Sequence, residues 1–156
     1  MNLFDFFRRK SPGQILFELR HIAVIGALSF RTHTDEKNNQ FSANAGAELL
    51  YFLLHSIDIA MHYGLHPTKR AEYLNFLTLD AIRNYANAIL TSEAPEELKA
   101  SVAETMLRRF NSRQLSYSRC TSFAGENLPT PGSKTFALSF YVYRALVVRS
   151  INNITK

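Results

Sequence analysis

The segment from Glu48 to Pro67, ELLYFLLHSIDIAMHYGLHP, constrains the fold more than any other part of the chain. Drawn as a helix at about 100° per residue, it carries apolar side chains over most of its circumference and polar ones along a narrow strip. The apolar surface of such a helix is removed from water only when other parts of the protein pack against it on several sides. The pattern predicts a central helix from about Phe41 to Tyr63, ended by Gly64.

The chain before this segment carries a helix start signal. Ser11 is a suitable N-cap, Pro12 suits the first helical position, and Gln14 completes a capping box. Apolar residues follow at helical spacing up to about Phe30. The polar stretch 31–40, RTHTDEKNNQ, predicts an exposed loop between the first helix and the central one.

Two more helices are predicted after the central one. The first follows Pro67 and Thr68 and ends near Thr91, with an apolar stripe formed by Tyr73 or Leu74, Leu77, Ala81, Tyr85 and Ala88. The second begins at Pro95, with acidic residues in its first turn near the positive end of the helix dipole. Its apolar residues recur every four positions: Leu98, Val102, Met106 and Phe110.

Residues 135–151 fit two structures. The residues Phe136, Leu138, Phe140 and Val142 alternate as in a strand, whereas Phe136, Phe140, Tyr143, Val147 and Ile151 fit a helix. A lone strand would lack partners and would be unstable, so helix is favoured and an extended segment stays as the alternative. The sequence therefore predicts an all-α protein, a single domain over residues 1–156 that packs about five helices.

Composition and the short N-terminal segment suggest where the protein works. A single cysteine, Cys120, cannot form an internal disulfide, and residues 1–10, MNLFDFFRRK, place apolar residues before basic ones, unlike a signal peptide. A cytoplasmic location is expected. The uncharged runs are shorter than the roughly 18 apolar residues that span a bilayer, so no transmembrane segment is expected. The N-terminal segment is expected to fold onto the core or across a dimer interface.

The polar strip of the central helix contains the side chains that could bind a metal. Imidazole and carboxylate ligands suit zinc, iron or manganese, and the candidates are Glu48, His55, Asp58 and His62. Di-metal bundles need matching ligands on other helices, usually a repeated Glu-x-x-His, and no such repeat is present. The favoured interpretation is a polar strip that is either exposed or internally hydrogen-bonded. No cofactor is expected, and a bound transition metal is the alternative.

The positive charge lies in the C-terminal part of the chain. Residues 95–156 carry nine basic and four acidic side chains, which accounts for the net charge of +5. A polyanion such as nucleic acid could bind at arginines, and the candidates are Arg108, Arg109, Arg113, Arg119 and Arg149. No nucleic-acid-binding motif accompanies them, so a solvated basic face is the preferred interpretation.

These observations favour a protein that is not an enzyme. No nucleophile elbow, dinucleotide-binding glycine pattern, P-loop or zinc-protease motif is present. The first hypothesis is a helical protein-interaction or regulatory module that binds a partner protein or a second copy of itself. The alternatives are a metal- or cofactor-binding bundle built on residues 48–62 and a binder of polyanions through the arginine-rich part.

Overall fold

The computed structural model describes residues 11–33, 39–62 and 65–118. These ranges contain four α-helices and no strand, and the helices are α1 (Pro12–His33), α2 (Asn39–His62), α3 (Pro67–Ile89) and α4 (Glu96–Ser118). The all-α class is thereby confirmed. The element predicted at residues 135–151, the N-terminal segment 1–10 and Cys120 lie outside the described residues.

The start of α1 is the predicted capping box. The backbone N–H of Ser11 donates to Gln14 Oε1 at 2.9 Å, and the N–H of Gln14 donates to Ser11 Oγ at 3.3 Å.

The predicted loop at 31–40 was too long, because α1 continues through His33 and α2 begins at Asn39. Arginine, lysine, glutamate and glutamine have favourable helix propensities, so a polar stretch by itself marks the boundary poorly.

The start of α3 uses a cap that the sequence pattern did not identify. His66 is the N-cap, and its Nδ1 accepts a hydrogen bond from the backbone N–H of Thr68 at 3.4 Å. Pro67 occupies the first turn, so the helix begins at this proline and not after Thr68 as the sequence predicted. In α4, Glu96 and Glu97 lie in the first turn, as predicted. Both helices therefore begin where local residue preferences place them.

The central position of α2 is confirmed. Every residue from Ala45 to Asp58 is buried, and α2 contacts α1, α3 and α4. Five of its large apolar side chains are fully inaccessible: Leu49, Leu50, Leu53, Leu54 and Ile57. The other helices form a shell around it, with α1 packed on α3 and α3 packed on α4.

Gly46 lies where α1, α2 and α3 converge. A Cβ atom at this position would overlap the hydroxyl of Tyr85 on α3, and it would lie 2.9 Å from the Ala27 carbonyl oxygen and 3.2 Å from Arg31 Cβ on α1. Tyr85 is fully buried, and this burial raises the pKa of its hydroxyl to about 12, so the side chain stays protonated. A side chain at position 46 would push the three helices apart.

The apolar stripes of the outer helices differ in part from those predicted. On α3, Leu77, Ala81 and Tyr85 are buried, but Ala88 is exposed. On α4, Met106 and Phe110 are buried, whereas Leu98 is 47% exposed. A spacing of four residues advances about 40° beyond a full turn at each step, so Leu98 and Phe110 lie about 120° apart around the helix. The apolar stripe therefore does not face the core at the N-terminal end of α4.

An ion pair joins α1 to α3 at the edge of the core. Arg20 Nη1 lies 2.8 Å from Asp80 Oδ2, and both side chains are partly exposed. The Arg20 guanidinium also lies over the ring of Phe17, 4.3 Å from its centre. An ion pair at such a border contributes up to about 1 kcal/mol, so it aligns the two helices more than it holds them together.

The segment Pro12–Arg31 of α1 is the one described helix long and apolar enough to cross a membrane. In the structure 39% of this segment is buried inside the bundle. The core helix of a bundle meets the same criterion of length and composition. A single helix of this kind is weak evidence for a membrane span, and the expected absence of a transmembrane segment stays a prediction.

Replacing Gly46 with alanine tests the helix convergence. Gly46→Ala is expected to lower the free energy of unfolding by about 1–3 kcal/mol, because the added methyl group overlaps Tyr85. Chemical denaturation measures the change. In the background of Tyr85→Phe the same substitution should cost less, since the overlapping hydroxyl is gone.

The matched control for this experiment is Gly13→Ala in the exposed first turn of α1. The nearest atom to a Cβ there is Ser11 Oγ at 4.0 Å. This variant should be as stable as the wild type or more stable by up to about 1 kcal/mol, because alanine favours the helix. Equal stability of Gly46→Ala and the wild type would contradict the packing described for Gly46.

Candidate functional site

Most of the polar strip on α2 is buried. Glu48, Tyr51, His55 and Asp58 are each at most 9% exposed, and His62 at the end of the helix is exposed. The strip has the predicted buried arrangement along most of its length, but His55 bonds to Phe110 and Asp58 to Arg70, not to each other as predicted. Its members must therefore find hydrogen-bond partners on neighbouring helices.

His55 is held against α4. Its ring stacks on the ring of Phe110, with 4.2 Å between ring centres and 12° between ring planes. Its Nε2 lies 3.3 Å from the carbonyl oxygen of Phe110. A carbonyl only accepts hydrogen bonds, so Nε2 carries the hydrogen. Burial lowers the pKa of His55, and this effect outweighs the opposing effects of the Phe110 hydrogen bond and the Asp58 charge, so the ring is neutral at pH 7.

Arg70 on α3 binds the two residues at the end of the strip. Its Nε donates to Asp58 Oδ1 at 2.7 Å. Its Nη1 lies 3.0 Å from His62 Nδ1, and because a guanidinium has no acceptor, Nδ1 accepts. The nearly buried Asp58 carboxylate thus has a compensating charge beside it.

The four predicted metal ligands are directed toward different partners. His55 bonds to Phe110, whereas Asp58 and His62 bond to Arg70. Glu48 lies ten residues before Asp58, about 15 Å along the helix axis. In the described ranges, no three His, Cys, Asp or Glu side chains lie close enough together to hold a metal ion. The metal site stays a prediction, and its ligands would have to be rearranged to form it.

A small pocket opens where α2, α3 and α4 meet beside His55. Its volume is about 310 Å³, near the lower end for sites that bind small molecules, roughly 300–1,000 Å³. We call it the Thr78 pocket. Its lining combines polar and apolar side chains: His55, Asp58, Leu74, Asn75, Thr78, Leu79, Leu107, Phe110 and Asn111.

Thr78 is the unusual member of this pocket. The residue is 3% exposed, and its Oγ1 has no hydrogen-bond partner within the part of the chain that the structure describes. A buried hydroxyl on a helix can bond to a carbonyl one turn earlier, as Ser56 Oγ does to Phe52 at 2.8 Å. Thr78 was not among the predicted site residues, although its position beside Leu77 and four residues before Ile82 marked it as a polar residue on the buried face.

A second concavity runs between α3 and α4, and we call it the α3–α4 furrow. Its volume is about 440 Å³, and it is lined by Leu79, Ile82, Arg83, Asn87, Glu96, Lys99, Ala100, Ala103, Glu104 and Leu107. Leu79 and Leu107 line both concavities, so the furrow adjoins the Thr78 pocket. No sequence pattern pointed to the furrow, because it depends on how the two helices pack.

The predicted anion-binding arginines are only partly described. Arg108 Nη2 lies 3.4 Å from Glu104 Oε1, and both side chains are exposed. Arg109 is also exposed. Arg119, Arg149 and the side chain of Arg113 lie outside the described residues, so polyanion binding stays a prediction.

Comparison with known proteins gives no guide to the function of either concavity. No protein family, curated protein sequence or solved structure matches this chain.

The burial of His55 predicts a pH-dependent stability. At pH values below about 6.5 the unfolded chain binds a proton at this residue while the folded protein resists it, since the folded pKa is lowered. The free energy of unfolding should therefore fall as the pH decreases from 6.5 to the folded pKa, by at most about 1.4 kcal/mol per pH unit.

Denaturation curves at several pH values test this. His55→Gln should lose the part of the decrease that belongs to this residue, because glutamine does not titrate. His21→Gln, a substitution at an exposed position on α1, should show the same decrease in the free energy of unfolding as the wild type. Identical pH profiles for wild type and His55→Gln would refute the assignment.

Thr78→Val should stabilise the protein in the absence of any ligand. Valine has nearly the shape of threonine and removes a buried hydroxyl that lacks a partner, so we expect the free energy of unfolding to rise by about 1 kcal/mol. Thr68→Val, at an exposed position on the same helix, should change it little. A destabilised Thr78→Val variant would mean that the hydroxyl is hydrogen-bonded.

Proposed function

We propose that this chain is a non-enzymatic helical protein-interaction module that binds a second copy of itself through the α3–α4 furrow. The observation that carries the proposal is the furrow itself, whose apolar floor lies between walls of opposite charge. A cleft between two long helices with such a floor suits the helices of another molecule.

The spacing of the lining residues supports a helical occupant. On α4 the furrow is lined at positions 96, 99, 100, 103, 104 and 107, and on α3 at positions 79, 82, 83 and 87, so successive lining positions are separated by steps that sum to three or four residues. Steps of three and four residues are those of helices that pack against one another. Ala100 and Ala103 are small, so a neighbouring helix can approach α4 closely. Phe76 and Leu79 extend the apolar surface along α3, and they are 60% and 41% exposed.

The charges support a copy of the same chain as the occupant. The α3 wall carries the exposed Arg83, and the α4 wall carries the acidic residues Glu96 and Glu104 together with one lysine. That lysine, Lys99, is paired with Glu96 at 2.6 Å. Arg83 is therefore opposite in charge to Glu104 on the other wall, an exposed side chain that also has Arg108 beside it at 3.4 Å.

A two-fold axis along the furrow makes use of this complementarity. It places α3 of each copy over α4 of the other, so that each Arg83 faces the acidic wall of its neighbour. Such an interface uses the same patch twice, as in most homodimers. Four helices, two from each copy, then enclose the apolar floor.

Reversing the charge of Arg83 tests the proposal. The wild type should show concentration-dependent dimerisation in sedimentation velocity, and Arg83→Glu should raise the dimer Kd roughly tenfold or more, since like charges would face each other. Adding Glu104→Arg to Arg83→Glu should restore much of the affinity.

The matched control is Lys69→Glu, which makes the same charge change at an exposed position on α3 outside the furrow. It should leave the dimer Kd nearly unchanged. A wild-type protein that stays monomeric at millimolar concentration, or a dimer indifferent to Arg83→Glu, would exclude this interface.

A further inference from the structure

We infer that residues 135–151 form a fifth helix that covers the outer side of α2, the side turned away from α3. These residues lie outside the described ranges. The inference rests on a side of α2 that is buried although no described helix packs on it, and on the length and apolar pattern of the segment. It goes beyond self-association and does not depend on it.

The shell of described helices around α2 is open on one side. α1 and α4 each pack against both α2 and α3, but they do not pack against each other. In cross-section the four helices therefore form a rhombus, with α2 and α3 across its short diagonal and α1 and α4 at its far corners. In this arrangement α1, α3 and α4 share one side of α2, and the opposite side receives no described helix.

The contacts of α2 show which residues point to this outer side. Gly46 faces α1 and α3, whereas His55 faces α4. These two residues are nine positions apart and so point in opposite directions, at about 100° per residue. Between them on one side lies Asp58, which bonds to Arg70 on α3. The other side, which is the outer side of α2, contains Ala45, Leu49, Phe52 and Ser56.

The outer side of α2 is buried. Ala45 and Leu49 are fully inaccessible, and Phe52 and Ser56 are 4% and 3% exposed. α3 provides a comparison, because it holds the equivalent position across the rhombus. Its own outer side is open to solvent, and Phe76 there is 60% exposed. The burial of α2 is found within one chain, so a further part of that chain covers its outer side.

The segment 135–151 has the length and the pattern for this position. As a helix it would be about 25 Å long, and the outer side of α2 from Ala45 to Ser56 is about 17 Å long, at 1.5 Å per residue. The segment contains no acidic residue. Its apolar stripe falls within about 80° of the helix circumference and consists of Phe136, Phe140, Tyr143, Val147 and Ile151.

The connection from α4 is long enough for this placement. Residues 119–134 follow the end of α4 at Ser118, and a stretch of that length can span up to about 50 Å. The whole of α2 is about 36 Å long. The N-terminal segment 1–10 fits less well, because its large apolar side chains lie within positions 3–7 and basic residues follow them directly. The remaining undescribed stretches, 34–38 and 63–64, are shorter still.

Nuclear Overhauser effects (NOEs) in the full-length protein test the contact. With phenylalanine rings and valine and isoleucine methyl groups labelled, the ring of Phe52 should show NOEs to the methyl groups of Val147 or Ile151. Phe52→Leu identifies the signals of this ring. The exposed ring of Phe76 on α3 is the control and should show no NOE to these methyl groups.

Thiol reactivity tests the cover in a second way. In a Cys120→Ser background, Ser56→Cys places a thiol on the outer side of α2, and Ala47→Cys places one on the opposite side. Both should react slowly with a thiol reagent, since both positions are buried. Phe140→Asp should accelerate the reaction of Ser56→Cys roughly tenfold or more, because loss of the cover opens α2 locally. The reaction of Ala47→Cys should stay slow.

The matched control within the segment is Leu138→Asp. In a helix, residues 138 and 140 lie about 160° apart, so this substitution lies off the apolar stripe and should leave Ser56→Cys slow. In a strand the two residues would share a face, and the two substitutions would act alike. Arg83→Glu should change none of these rates, which separates this inference from the proposed dimer interface.

Three results would overturn the inference. One is the absence of NOEs from Phe52 to the segment 135–151. The second is a reaction rate of Ser56→Cys that Phe140→Asp does not change. The third is an equal acceleration by Phe140→Asp and Leu138→Asp. If Phe140→Asp unfolds the whole bundle, both thiols react rapidly, and the NOEs of the wild type decide.

Discussion

The burial of α2 on all sides is the constraint on which the rest of the structure depends. Between Ala45 and Asp58 this helix has no solvent-facing side, so its polar side chains depend on partners inside the protein. For His55 that partner is the backbone of α4, and for Asp58 it is Arg70 on α3. The same burial requires close approach, which Gly46 permits where α1 and α3 cross α2. The packing of the helices and the pairing of buried polar groups therefore both depend on α2.

The two concavities follow from how α4 joins this core. Met106 and Phe110 attach the middle of α4 to the bundle, while Leu98 near its start is turned toward solvent. The first half of α4 therefore lies beside α3 without closing over it, which leaves the α3–α4 furrow. Where α4 does reach the core, the polar seam of α2 meets Thr78 and forms a pocket with mixed walls. Leu79 and Leu107 stand between the two features, so a group entering one would contact the wall of the other.

The seam on α2 is better explained as a structural element than as a reaction centre. His55 uses its Nε2 hydrogen for a carbonyl, and Asp58 is engaged by a guanidinium. The guanidinium compensates the Asp58 carboxylate, whereas burial keeps the His55 ring neutral. Beside the seam, the buried hydroxyl of Thr78 has no hydrogen-bond partner among the described residues. Apolar and charged side chains remain exposed on the outer surface of α3 and α4.

Local residue order fixed the helical class, the central place of α2, and the starts of α1 and α4, because capping and helical spacing involve residues three or four positions apart. Ser11 and Gln14 form their two hydrogen bonds without contacts from any other part of the chain. The polar strip could also be located, but the partners of its members could not. His55 bonds to Phe110, which is 55 residues away in the sequence, and Arg20 bonds to Asp80, which is 60 residues away. Residue spacing in the sequence does not indicate contacts between positions so far apart. Whether Thr78 finds a partner, and whether α3 and α4 leave a furrow, depends on how whole helices cross, and that was settled by packing in three dimensions.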